Sequence, residues 1–296
     1  MTEPRCYLCG NEKMYLLYSI KQWKIYKCDK CSFVFVYPFL TKIKLKRLYL
    51  NFKANIFEKS KITLNDSNHS LRFLNKYRIN RKTLLDIGCG NGIFLGEAIK
   101  YGWLVTGIDI SSSLISYLKK TFDYEVYQGD ILTTNIGKKF DVVTLNQVIE
   151  HFSDPKLLVK RCFNLLKKDG LIYIATPNIS SIVAKIRKVE FDYVIPPEHL
   201  SYFNDKTLSR ILADQGFRVL KTNTWSYPVD LAGLIKYVFG KKTSSKGNKS
   251  YEYNNKFTFI KYLKYLVFDK LFCILFYKFL NINNAGTMIE ILAIKQ

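Results

Sequence analysis

The chain has 296 residues, 48% of them hydrophobic and 15% aromatic, with 46 Lys plus Arg against 24 Asp plus Glu for a formal net charge of +22. This composition excludes a disordered tail, a collagen-like fibre and a small disulfide-stapled fold, and the length suits one α/β domain of ordinary size with a small accessory module. The charge lies at the ends: residues 1–80 hold 16 basic and 5 acidic side chains, 81–230 hold 19 and 16, and 231–296 hold 11 and 3. Such flanks would attract a polyanion or an anionic membrane surface. The ratio of 37 Lys to 9 Arg is equally what an AT-rich coding sequence yields, and recognition of phosphates and bases leans on Arg.

Residues 1–10 show no charged stretch leading into an apolar run, so no secretory leader is expected. Cysteines then point to a reducing compartment, where paired cysteines mean metal more often than disulfide. Cys6-x2-Cys9 and Cys28-x2-Cys31 have the spacing of a four-thiolate zinc ribbon, each pair offering one face of a tetrahedral ion. Hairpin strands are expected at Tyr15–Ile20 and Trp23–Lys27, with Phe33–Tyr37 following the second knuckle. Four Cys ligands would close the site and make a bound zinc structural; the alternative is a ribbon that has lost its metal. Cys89, Cys162 and Cys273 read as small core residues. Residues 38–80 are basic and helix-prone, with Leu45, Leu48 and Tyr49 at helical spacing and Leu71, Phe73 and Leu74 in the next helix. His69 falls in that polar helix and receives no role.

From Thr83 strands alternate with helices, the mark of a parallel sheet covered on both faces. Strand Thr83–Ile87 runs into Gly88-Cys89-Gly90-Asn91-Gly92 and a helix over Ile93–Tyr101; strand Leu104–Ile108 then ends in Asp109, with Ser111 or Ser112 as the next cap. In a doubly wound sheet a nucleotide lies across these strand ends, where glycines admit the backbone and a carboxylate can accept both ribose hydroxyls. Ile93 stands where a dinucleotide fingerprint has its last glycine, which disfavours pyrophosphate.

The segment Asp86–Gly92 resembles the first motif of class I S-adenosylmethionine-dependent methyltransferases. Asp109, Gly129-Asp130-Ile131, the strand Phe140–Leu145, Asn146–His151 with Asp154-Pro155, and Leu165–Gly170 turning into the strand Leu171–Ala175 follow in that family's order. The likeness spans about 81–225 and resumes at Gly286–Lys295. It implies a doubly wound Rossmann-like α/β sheet, mostly parallel with the last strand antiparallel, and S-adenosylmethionine as cofactor. Asp86, Gly88, Cys89, Gly90 and Gly92 would face its methionine end, Asp109 and Ile110 the ribose, and Asp130 and Ile131 the adenine, with Asn146 and Gln147 alongside. A plain turn is the other reading of Asp130.

Glu150-His151 is similar to a Glu-His pair of the quinone and sugar methyltransferase branches, and Glu198–Phe203 resembles the Glu-His-x-Ser-Tyr-Phe stretch of zinc-ribbon sugar C-methyltransferases. That likeness implies catalytic roles for His199, His151 and Tyr193, with a histidine as base; each histidine has the alternative of holding a lid by hydrogen bonds. The end of the fourth strand lacks the Asn/Asp-Pro-Pro-aromatic motif of base-amine methyltransferases, so nucleic acid is not the favoured partner. The expected layout is a ribbon over 1–40, a helical linker over 41–80, and a methyltransferase domain over 81–296 with insertions at about 178–203 and 226–284. Within the second insertion, 257–280 is aromatic but interrupted by dispersed charges, which favours a lid over peripheral membrane contact. The expectation is a cytoplasmic enzyme, with peripheral contact at the inner membrane face as the other location, acting on a small molecule, most simply a sugar in surface polysaccharide biosynthesis. A zinc-ribbon RNA methyltransferase, a quinone or lipid O-methyltransferase and a non-catalytic cofactor-binding protein are the alternatives.

Overall fold

The computed structural model describes residues 4–38, 61–77, 80–227, 230, 233–234, 237 and 285–296. Expectations for Leu45, Leu48, Tyr49, Cys273 and the 257–280 segment lie outside the described residues. No described helix is long and apolar enough to cross a membrane.

Two sheets organise the chain. The larger is built on β4 (Thr83–Ile87), β5 (Leu104–Asp109), β6 (Val126–Gln128), β7 (Phe140–Asn146), β8 (Leu166–Pro177), β10 (Phe217–Trp225) and β11 (Met288–Lys295), in the order β10-β11-β8-β7-β4-β5-β6. Its left-to-right reversal beside β4 is the point where a doubly wound sheet opens a crevice at the carboxyl ends of its strands. The core strands read as nearly unbroken apolar runs: Leu84, Leu85 and Ile87 of β4 and Val142, Val143 and Leu145 of β7 are all buried, as helices on both faces require. Strand β11 pairs antiparallel with both β8 and β10, so it alone runs against the sheet.

Helices α1 (Lys61–Asn75), α2 (Ile93–Lys100), α3 (Ser112–Phe122), α4 (Pro155–Leu165), α5 (Ile182–Arg187) and α6 (Asp205–Asp214) accompany the strands. Their starts follow capping chemistry. Ser111 accepts from the Leu114 N–H, Asp154 accepts from the Leu157 N–H ahead of Pro155, and Asn204 with Thr207 forms a reciprocal capping box. One expected boundary moves. The strand expected at Leu171–Ala175 begins at Leu166, because Phe140 already pairs with Leu166 before a register shift carries Val142 onto Leu171. Residues between them, with Asp169 in the left-handed region at φ 57°, loop outward without breaking the ladder.

The smaller sheet has the order β1 (Met14–Ile20), β2 (Trp23–Cys28), β3 (Val34–Tyr37) and β9 (Ser201–Tyr202). Its fourth strand comes from beyond residue 200, so the cysteine-bearing hairpin is stitched into the larger unit. Val34 and Phe35 pair with Tyr202 and Ser201, and the Val36 N–H donates to the Leu200 carbonyl at 2.9 Å. Side chains close the same seam: the Phe33 and Phe203 rings lie 5.6 Å apart at 47°, and both are fully buried in a cluster that continues into Leu208, Ile211 and Phe217. Trp23, Ile25, Val34 and Val36 pack on the other side with Phe191, Val194, Leu200 and Tyr202.

A shared core predicts shared unfolding. Phe203→Ala is expected to cost about 3–5 kcal/mol, and the loss should appear in urea as one transition seen equally by hairpin and sheet probes. Two separated transitions would contradict the shared core.

Candidate active site

The loop after β4 is shaped by glycines at positive φ: Gly88 at 72°, Gly90 at 53° and Gly92 at 76°. A Cβ on Gly88 would sit 2.6 Å from Val148 Cγ2, and one on Gly92 would sit 2.5 Å from Leu118 Cδ2, so neither position tolerates a side chain. A Cβ on Gly90 would meet nothing nearer than 4.0 Å, which leaves its side of the loop open to a ligand. The Gly90 N–H donates to Asp109 Oδ2 at 3.0 Å, and the Ser111 N–H donates to Asp109 Oδ1 at 2.8 Å. Both carboxylate oxygens are thereby fixed at the end of β5, each retaining lone-pair capacity for a diol. Cys89 is buried and its thiol is pushed well up by desolvation, so it serves as packing beneath the loop.

Asp86 lies buried at the centre of this arrangement. Its Oδ1 accepts from Thr144 Oγ1 at 2.6 Å and Asn146 Nδ2 at 3.4 Å. Burial nevertheless pushes its carboxyl up to about 7, since loss of water outweighs two donors. Asn146 joins this carboxylate to the Ser70 hydroxyl of α1, and Gln147 turns the chain at φ 55° with its N–H donating to the Ala175 carbonyl. Asp130 is exposed and its Oδ1 accepts from the Leu132 N–H, so its carboxylate stabilises its own turn; Ile131 beside it is buried. Ile110 accepts from Gln128 Nε2 through its carbonyl.

On the acceptor side, the structure brings the three sequence-selected residues together. The His151 and His199 rings lie 4.9 Å apart at 73°, and Tyr193 and His199 lie 6.5 Å apart with nearly parallel rings. His151 Nδ1 contacts the Glu198 carbonyl at 2.8 Å, and His199 Nδ1 contacts the Tyr193 carbonyl at 2.8 Å. A carbonyl only accepts, so each neutral ring carries its proton on Nδ1 and its lone pair on Nε2. Burial and the neighbouring His151 hold His199 down to about 3, which keeps it neutral. Tyr193 reaches His199 through its main chain, a contact that any residue at 193 can make. Glu150, next in chain to His151, joins the cluster: it is buried, Thr176 Oγ1 donates to its Oε2 at 2.9 Å, and desolvation raises its carboxyl.

Cys6, Cys9, Cys28 and Cys31 converge with all four sulfurs within 4.8 Å of one another. The Cys6–Cys31 and Cys9–Cys28 separations are 3.4 and 3.5 Å, far beyond a disulfide and close to the ~3.8 Å edge of a tetrahedron with ~2.3 Å metal–sulfur bonds. The donor set therefore fits a tetrahedral ion. Burial opposes ionisation of Cys28, but N–H and thiol donors around it bring its thiol down to about 7.

A polar network missed by sequence reasoning backs the cofactor strands. Buried Glu290 of β11 receives the Tyr173 hydroxyl at 2.8 Å and Asn223 Nδ2 at 3.2 Å, and lies 3.1 Å from His69 Nε2. Tyr227 donates to Asp66 at 2.6 Å on the same helix, α1. His69 thus has a structural partner 221 positions away, a distance no local pattern reports.

Asp86 gives a pH prediction. Its folded carboxyl, near 7, keeps a proton that the unfolded chain, near 3.8, has released, so this group's contribution falls as pH rises through that window. Asp86→Asn preserves the oxygen that accepts from Thr144 and Asn146. The ligand-free variant is expected to melt roughly 5 °C above wild type at pH 8, with the gain vanishing near pH 4; an equal gain at both pH values would contradict the assignment.

A family model described as a methyltransferase domain matches residues 63–222, just over half of the chain. Curated relatives include a protein named ubiquinone biosynthesis O-methyltransferase of Coxiella burnetii, 28% identical over 152 residues, covering 47% of this chain and 64% of that protein. Another of the same name from Glaesserella parasuis is 33% identical over 128 residues, covering 38% and 53%. The chain thus spans less than two thirds of these relatives' lengths. A solved structure of a SAM-dependent methyltransferase from Archaeoglobus fulgidus has a TM-score of 0.50 at 23% identity, covering 77% of this chain and 94% of that one, a likeness of fold. With this model matched over the glycine loop and the central strands of the larger sheet, the chain belongs to the methyltransferase-domain family.

Proposed function

We propose that the protein transfers the methyl group of S-adenosylmethionine to a small-molecule acceptor, a hydroxyl or carbon of a sugar that is nucleotide-linked or part of a glycan precursor. The observation that carries this reading is the placement of Glu150, His151 and His199 beside the glycine loop: Val148, two residues before Glu150, is the side chain that a Cβ on Gly88 would strike. The cofactor supplies a methyl group already activated on sulfonium, so alignment and handling of the acceptor proton fall to the protein.

Asp86 and the loop of Gly88, Cys89, Gly90 and Gly92 would take the methionine end, Asp109 and Ile110 the ribose, and Asp130 and Ile131 the adenine, with Asn146 and Gln147 orienting Asp86 and the strand end. Asp130 would meet the ligand only after loosening its hold on Leu132. His199 would receive the acceptor proton on Nε2, with His151 as its partner and Tyr193 positioning it through its carbonyl. A phenolic hydroxyl of a quinone precursor is the second reading, favoured by the names of the curated relatives. The four cysteines hold a structural zinc, and the reducing cytoplasm suits their free thiols.

Three measurements test these assignments. Isotopically labelled methyl donor, incubated with the full chain and with sugar nucleotides, quinone precursors or RNA, should label the sugar fraction; label confined to quinone precursors would select the second reading, and label confined to RNA would refute both. Asp109→Ala should weaken cofactor binding by about 10-fold or more in calorimetry, consistent with loss of charge-assisted hydrogen bonds of about 1.5–3 kcal/mol; unchanged affinity would remove Asp109 from the ribose site. A thiol-specific mercurial should release one zinc per chain, and no release would show that the knuckles fold without metal.

A further inference from the structure

The polar network behind the cofactor strands runs in one line to Asp86. Register places Asp86 of β4 beside Thr144 of β7 and Thr144 beside Tyr173 of β8, while Glu290 of β11 pairs with Ala175, two residues on from Tyr173. Side chains alternate along a strand, so Asp86, Tyr173 and Glu290 share one face of the sheet. Helix α1 covers that face, with Leu71 and Leu74 in one cluster with Leu84, Val142 and Tyr173. Its Ser70, buried at 2% exposure, enters the line between the strands.

Counting protons gives the line a direction. The Tyr173 hydroxyl lies 2.8 Å from Glu290 Oε2 and 2.9 Å from Ser70 Oγ, and Ser70 Oγ lies 3.3 Å from Asn146 Oδ1. Asn146 Nδ2 in turn donates to Asp86 Oδ1 at 3.4 Å. Glu290 accepts the proton of Tyr173, and a hydroxyl has only one to give. Ser70 can therefore give its own proton to the Tyr173 oxygen or to Asn146 Oδ1, not to both. The two bonds have opposite effects. A bond to Asn146 holds the amide with its nitrogen toward Asp86, whereas a bond to Tyr173 leaves Oδ1 facing a lone pair and slackens the hold on Asp86.

We infer that Ser70 is a positioning residue for the methionine end of the cofactor, acting through Asn146 on Asp86, and that Tyr173 competes with Asn146 for its proton. This rests on the reading that Asp86 faces that end. When the ammonium of that end holds Asp86 ionised, Asn146 must present its nitrogen to the carboxylate and its oxygen to Ser70, which draws the Ser70 proton away from Tyr173. Removing the competitor favours the bound arrangement, and removing the Ser70 hydroxyl disfavours it. A residue that only packs α1 on the sheet gives no such opposition.

The test is calorimetric binding of S-adenosylhomocysteine to the full chain, with adenosine, which lacks the amino acid end, as the second probe. Ser70→Ala should weaken the first about 5-fold, the scale of one net hydrogen bond, and leave the second unchanged. Tyr173→Phe should tighten the first by about 2- to 5-fold even though it removes a buried bond and lowers the melting temperature. In the Ser70→Ala background the same change should leave affinity as it is, because the competition needs the hydroxyl. Ser70→Ala decides by its two probes even if Tyr173→Phe does not fold. Weakened binding of both probes in Ser70→Ala, of neither, or weaker S-adenosylhomocysteine binding in Tyr173→Phe would each overturn the inference. Asp86→Ala separates it from the reading beneath it. Unchanged S-adenosylhomocysteine affinity there would remove Asp86 from the methionine end, whereas weakened binding beside a silent Ser70→Ala would remove Ser70 alone.

Discussion

The short ladder between Val34–Phe35 and Ser201–Tyr202, extended by the Val36 to Leu200 hydrogen bond, is the contact on which the rest of the arrangement depends. Residue 199 stands one position before that ladder, and its ring closes on His151 from the far end of β7. Leu200 is held twice, its carbonyl by Val36 and its N–H by the Glu150 carbonyl at 2.8 Å. Through that one residue the cysteine hairpin and the turn that follows β7 grip the same piece of chain. The four sulfurs converge on the same hairpin that pairs with residues 200–202.

Buried acids tie the elements behind the site together. Asp86, Glu150 and Glu290 are all buried, and each accepts from a hydroxyl drawn from another element. Their hydrogen bonds tie β4 to β7, the turn at Glu150 to β8, and β11 to β8, β10 and α1, while burial raises the carboxyls of Asp86 and Glu150.

Much of the framework was legible in the chain itself, because it is written in local patterns. The glycine loop, the acid at the end of β5, the apolar runs of the parallel strands and the double Cys-x2-Cys all specify geometry within a few residues. What escaped was long-range. The two-residue strand β9 is too short for any alternation to show, and only its partner 165 or more positions upstream makes it a strand. His69 looked like a polar helix residue until Glu290 appeared beside it, and Glu150 looked like a neighbour of a histidine until Thr176, 26 positions away, was found holding its carboxylate. Pairing across such separations is decided by the packed core, which periodicity does not encode.

If the cysteine hairpin holds His199 in place through the β3–β9 seam, loss of the knuckles must loosen that segment. Hydrogen exchange of the full chain before and after loss of the knuckles, in a Cys28→Ser variant, tests it most directly. The largest gain in exchange is expected at Val36 and at residues 200–203, exceeding that in β4, β5 and β7. Unchanged protection at residues 200–203 would show that the histidine segment is held without the hairpin.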